Sequence, residues 1–63
     1  MIITVNGTDR RVDDGAVVAD VVPADCRSIA VALNWSVVPR DAHATTALSP
    51  GDRVEIVTAV QGG

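Results

Sequence analysis

Few side chains in this 63-residue sequence are of a kind that does chemistry unaided: one cysteine, Cys26, and one histidine, His43. A single cysteine closes no internal disulfide, and a lone cysteine behind an apolar stretch is ordinarily a small packing residue, which is how Cys26 reads. His43 has no second histidine or cysteine at ligand spacing, so a loop or surface histidine is expected and a metal site is not. Arg40 stands beside Asp41 and reads as half of a solvated pair. There remains the end of the sequence, Val60-Gln61-Gly62-Gly63. A terminal glycine pair is commonly a frayed end. It is also a narrow arm without β-carbons, able to thread a channel in another protein and to present an unhindered carboxyl group. A carboxylate is a poor electrophile. It reacts once an activating enzyme has turned it into an acyl adenylate with ATP and a metal ion, after which sulfur displaces AMP.

Size and composition favour an arm over a pocket. A chain of this length forms one domain that buries only about 60% of the surface exposed on unfolding. Phe and Tyr are absent and Trp35 is the sole aromatic, so the core has to be a thin layer of Val, Ile, Leu and Ala. A catalytic pocket needs roughly 300 Å³ of walled concavity, and an enzyme is therefore not expected. Eight acidic residues against five arginines and no lysine give a net charge of −3. That balance repels phosphate backbones and argues against nucleic acid, while it suits docking on a basic or mixed protein surface. Neither a leader nor an apolar run near the ~20 residues of a membrane span is apparent, so a cytoplasmic protein without membrane contact is expected.

The elements that would position the arm follow from pattern. Ile2-Ile3-Thr4-Val5 is a β-branched run leading into Asn6-Gly7, a two-residue hairpin turn, with Thr8 to Val12 returning as a second strand. Alternation puts Ile3 and Val5 on one face and Ile2 and Thr4 on the other. Asp13-Asp14-Gly15 closes the unit with turn chemistry. Val18, Val21 and Val22 recur at helical spacing and predict a short amphipathic helix, weak in propensity, ended by Pro23 and held only by packing on a sheet. Ile29 to Leu33 reads as a buried strand that stops at Asn34, with Trp35 and Ser36 at the tip. Val37-Val38 leads into Pro39, which confines it to an edge or a very short pairing. Arg40 to Leu48 reads as irregular, and Ser49-Pro50-Gly51-Asp52 as a turn. From Arg53 to Ala59, Val54, Ile56 and Thr58 alternate with Arg53, Glu55 and Val57 in a last strand. The class is α+β, a mixed sheet of four to five strands with one short helix on one face, comprising residues 1–59, followed by a flexible tail at 60–63.

Val5-Asn6-Gly7, Ala32-Leu33-Asn34 with Val37-Val38-Pro39-Arg40, Leu48 to Ile56, and the closing Val60-Gln61-Gly62-Gly63 together resemble the thiamine-biosynthesis sulfur carriers, the ThiS family. That family lies within the ubiquitin-like β-grasp proteins of the MoaD/ThiS superfamily, and the resemblance covers essentially the whole chain. It implies that Gly63 is adenylated by a ThiF-type enzyme related to the ubiquitin-activating enzymes, using ATP and Mg, and is converted to a thiocarboxylate by way of a sulfur donor protein. It further implies delivery of that sulfur to a ThiG-type thiazole synthase. The chain would bind no cofactor itself, be monomeric when free, and act as a co-substrate. Gly62 and Gln61 would thread the partners' active sites. Val57 and Val60, which alternation and position leave exposed beside the arm, are candidates for docking. Trp35 departs from the family's usual small or polar residue. It reads equally as a partner anchor and as a ring folded over the sheet rim. The alternatives are a carrier for molybdopterin or cysteine biosynthesis, a modifier joined to lysines through Gly63, and an interaction module in which the glycines do nothing.

Overall fold

The computed structural model describes residues 1–22 and 28–58. Its strands are β1 (Ile2–Val5), β2 (Thr8–Arg11), β3 (Ser28–Leu33), β4 (Ser36–Val37) and β5 (Arg53–Thr58). They form one sheet in the order β2-β1-β5-β3-β4. The first and last strands lie parallel at its centre, Thr4 opposite Arg53 and Val5 opposite Val54, and the remaining pairings are antiparallel.

Local chemistry explains each reversal. Asn6 and Gly7 have φ of 51° and 81°, the paired positive values of a type I′ turn, whose twist matches that of the strands it joins. At Ser49–Asp52 the Asp52 N–H donates to the Ser49 carbonyl at 3.1 Å, and its carboxylate accepts from the Ser49 N–H at 2.7 Å. Pro50 supplies a fixed φ at this turn and Gly51 the positive one, 82°. Both sheet edges are blunted: β2 is exposed and polar along its length, and β4 is short and runs into Pro39.

One face of the sheet carries the core. Ile3, Val18, Val31 and Val54 are its fully buried side chains, joined by Val5, Ala16, Val21 and Leu48. As alternation requires, Ile3 and Val5 are buried while Ile2 is half exposed.

The expected amphipathic helix is instead a single 3₁₀ turn, Val18–Asp20, among the described residues. Its valines do pack inward, Val18 at 0% and Val21 at 4% exposure. The backbone takes its partners from elsewhere: Val18 N–H donates to the Thr46 carbonyl and Ala19 N–H to that of His43, both at 2.9 Å. Valine loses side-chain freedom in an α-helix, and here a neighbouring loop offers competing acceptors. The stretch read as irregular supplies that loop. It contains a second 3₁₀ turn, Arg40–Ala42, and an isolated bridge from Ala47 to Val17. Pro23 and Cys26 lie outside the described residues.

Val54 fills the space where β1, β5 and β3 meet. Val54→Ala removes two buried methyl groups and is expected to cost about 2 kcal/mol, lowering the melting temperature by roughly 8–16 °C in a domain of this size. Val57→Ala, at a side chain 53% exposed, should change stability by less than about 0.5 kcal/mol. Thermal melts of both variants check the assignment of faces.

Candidate functional site

The candidate arm continues from β5, the central strand, so its base is defined by what holds β5. β3 pairs with it from Leu33–Val54 through Ser28–Thr58, whereas β1 reaches only its first residues. Asn6 extends the support: its side-chain oxygen accepts from Ile56 N–H at 2.7 Å and its amide donates to the Ile56 carbonyl at 3.2 Å. A side chain in the turn thus replaces the ladder that β1 would have continued. Val60, Gln61, Gly62 and Gly63 lie outside the described residues. Of the predicted site residues Val57 alone is placed. It stands on the sheet face opposite the core, across from Ala30.

That open face carries more apolar surface than alternation along β5 revealed. Register puts Val37 beside Ala32, and Ala32 beside Glu55, which lies on the same face as Arg53 and Val57. Ile2 and Thr4 share it through the pairing of Thr4 with Arg53. Ile2, Val37 and Val57 are exposed by 50%, 74% and 53%. Val37 had no clear signal in the sequence, because a two-residue strand shows no period.

The β3–β4 connection repeats the Asn6–Gly7 design. Asn34 and Trp35 are its central residues, with φ of 50° and 73°, so the tip is Asn34–Trp35 and Ser36 already belongs to β4. Asn34 reaches β5 as Asn6 does: its side-chain oxygen accepts from Arg53 N–H at 3.0 Å and its amide donates to the Asp52 carboxylate at 3.1 Å. The Trp35 ring does not fold over the sheet core. It is 74% exposed, with the Arg53 guanidinium 5.1 Å from its centroid.

His43 is partly buried, its Nε2 3.1 Å from the Val38 carbonyl, which ties the loop to the end of β4. Beside it is a shallow groove of about 130 Å³ between β3, Val37, Pro39 and Arg40, below the size of a small-molecule site. Among the described residues no group of His, Cys, Asp or Glu is arranged to hold a metal ion. No helix among them is long and apolar enough to cross a membrane.

A mixed sheet with its first and last strands parallel at the centre, and its core on one face, defines a ubiquitin-like β-grasp protein. The family model matching residues 3–63 is that of the ThiS family, and the chain belongs to it. The crystal structure of a thiamine biosynthesis protein, ThiS, from Geobacter metallireducens matches with a TM-score of 0.75 at 32% identity, covering 100% of both chains. A thiazole synthase from Paramagnetospirillum magneticum is 32% identical over 66 residues, a match that takes in all of this chain. The chain spans 20% of the length of that relative. Family membership places the chain with the small sulfur carriers of thiamine biosynthesis.

The asparagine bridge generates a stability test. Asn34→Ala loses its hydrogen bonds to Asp52 and Arg53 and puts a β-carbon without a local partner at positive φ, for an expected loss of about 2 kcal/mol. Asn34→Gly keeps the backbone freedom and should lose about 1 kcal/mol. Urea denaturation of the two variants separates the bridge from the backbone contribution.

Proposed function

We propose that this chain carries sulfur on the carboxyl group of Gly63 for thiazole formation in thiamine biosynthesis. A ThiF-type activating enzyme binds the domain and draws Gln61-Gly62-Gly63 into its active site. There a carboxylate oxygen of Gly63 attacks the α-phosphorus of Mg-bound ATP, and pyrophosphate leaves. Hydrosulfide released by a donor protein then attacks the acyl carbon, AMP departs, the thioacid loses its proton, and the tail ends in a thiocarboxylate. A ThiG-type thiazole synthase consumes that sulfur and returns the carboxylate. The chain itself holds no cofactor, works as a cytoplasmic monomer between encounters, and is a co-substrate of the two enzymes.

The observation that carries this reading is the family match over residues 3–63, which includes the glycine tail. The similarity of this chain to a fifth of a thiazole synthase supports thiazole synthase as the receiving partner. The half-exposed Val57 on the open face supports docking beside the arm, and Val60 continues that role in the proposal.

Intact-mass analysis of the protein isolated from its own cells is expected to show a fraction in which one oxygen is replaced by sulfur, localised by fragmentation to Gly63. Deleting Gly62 and Gly63 is expected to abolish growth without added thiamine. Normal growth of that strain would sink the proposal. Activation of Gly63 solely by a molybdopterin-type enzyme would reassign the pathway, and conjugates on lysines lost with Gly63 would make the chain a protein modifier.

A further inference from the structure

The molecule contains its own control for the Asn34–Trp35 turn. Two hairpins use the same backbone, with an asparagine at the first central position of each bridging to β5. At the second central position one has Gly7 at φ 81° and the other Trp35 at φ 73°. Glycine adopts that conformation freely, whereas for a bulky residue it is a strained outlier. Strain of this kind persists where a side chain serves something other than the local fold. Burial does not compensate it, because the ring is 74% exposed. Its one described partner is the Arg53 guanidinium, 5.1 Å from the ring centroid. Among the described residues no carboxylate lies within ion-pair distance of Arg53, although the chain is acidic overall. An exposed indole and a cation positioned against it are thus displayed together, with no carboxylate of the described residues paired to the cation.

We propose that Trp35, with Arg53 stacked on it, is the anchor by which the body of this carrier docks on the adenylating enzyme, the indole entering an apolar slot with a carboxylate at its rim. The proposal rests on the functional reading above. Tryptophan and arginine are the residue types most enriched among binding hot spots. A carboxylate at the rim would pair with the guanidinium fork while the indole is desolvated. Arg53 and Thr58 are the two ends of β5, which separates the anchor from the base of the tail by about 17 Å along the strand. An interface of ordinary size, about 800 Å² per partner, covers both along with the open face. The adenylating enzyme is the occupant favoured, because at that step Gly63 carries only an ordinary carboxylate, whereas a thiazole synthase would meet a thiocarboxylate whose sulfur is itself a handle. Recognition at the adenylation step therefore leans on the rest of the domain.

The test is carrier-dependent ATP–pyrophosphate exchange by the cognate activating enzyme, using the full chain. Trp35→Gly removes the ring and relieves the strained φ, while it loses the cation–π contact and adds freedom to the unfolded chain. These effects oppose one another, and the melting temperature should stay within about 4 °C of the parent. Its KM for the carrier should rise at least about tenfold with kcat unchanged, the signature of lost recognition away from the reacting atoms. Trp35→Asn, a second residue tolerant of positive φ, should behave in the same way. Arg53→Gln should raise KM by roughly three- to tenfold and weaken its dependence on salt.

An unchanged KM in the two Trp35 variants overturns the proposal. So does a fall in melting temperature of more than about 10 °C in both, which would give the ring to the fold. Normal activation with a defect confined to sulfur delivery to thiazole synthase would assign the anchor to that enzyme and overturn it as well. A parent chain that is not adenylated at all removes the functional reading, and this proposal with it.

Discussion

The rest of the structure depends on β5 being paired on both sides. A strand at the centre of a sheet has to find partners for its N–H and C=O groups on two flanks, and this chain has few residues with which to supply them. β3 covers one flank along its length, while β1 covers only the start of the other. Asn6 closes the shortfall with a side chain, while Asn34 extends the β3 flank to the first residue of the strand. Because β5 is also where Val54 is fully buried, its hydrogen bonding and its packing are tied to the same few residues. The strand that precedes the tail in the chain is therefore held by backbone bonds, by a side chain and by the core together. A fixed origin of this kind lowers the ordering cost of a tail drawn into a partner, as the proposed function requires.

The second governing constraint is size. With no Phe or Tyr and one exposed Trp, the core is a single aliphatic layer on one face of the sheet. Among the described residues the other face is uncovered, with Ile2, Val37 and Val57 standing on it. Such a domain has little capacity to enclose a substrate, but it offers a flat, partly apolar surface beside a tail. The protected edges belong to the same logic. Polar β2 and the short, proline-ended β4 leave little exposed backbone to template strand addition, so contact is directed to the face.

The outline of the fold was legible in the sequence where a local rule had a single outcome. Asn-Gly between β-branched runs could hardly be anything but a tight hairpin, Ser-Pro-Gly-Asp anything but a turn, and the alternation around Val54 anything but a half-buried strand. Val57 was placed on the open face for the same reason. The helix was not legible. Val18, Val21 and Val22 have helical spacing, but whether they wind into an α-helix or a 3₁₀ turn is decided by the carbonyls of His43 and Thr46, more than twenty positions away. Periodicity reports which side chains point inward, and these did; it is silent on which backbone acceptor wins.

What the sequence determined by itself, then, was the set of strands, the turns at Asn6–Gly7 and Ser49–Asp52, the aliphatic core and a family resemblance that includes the glycine tail. Each of these depends on residues adjacent in the chain, whose chemistry can be read in order. Tertiary structure alone decided the register that groups Ile2, Val37 and Val57 on one face, the bridging of Asn6 and Asn34 to β5, and the display of Trp35 against Arg53. Those depend on pairs such as Asn6 with Ile56 and Trp35 with Arg53, distant in sequence and brought together only by the sheet. The proposal for the tail's chemistry starts from residues adjacent in the chain, whereas the surface beside β5 had to be assembled by folding.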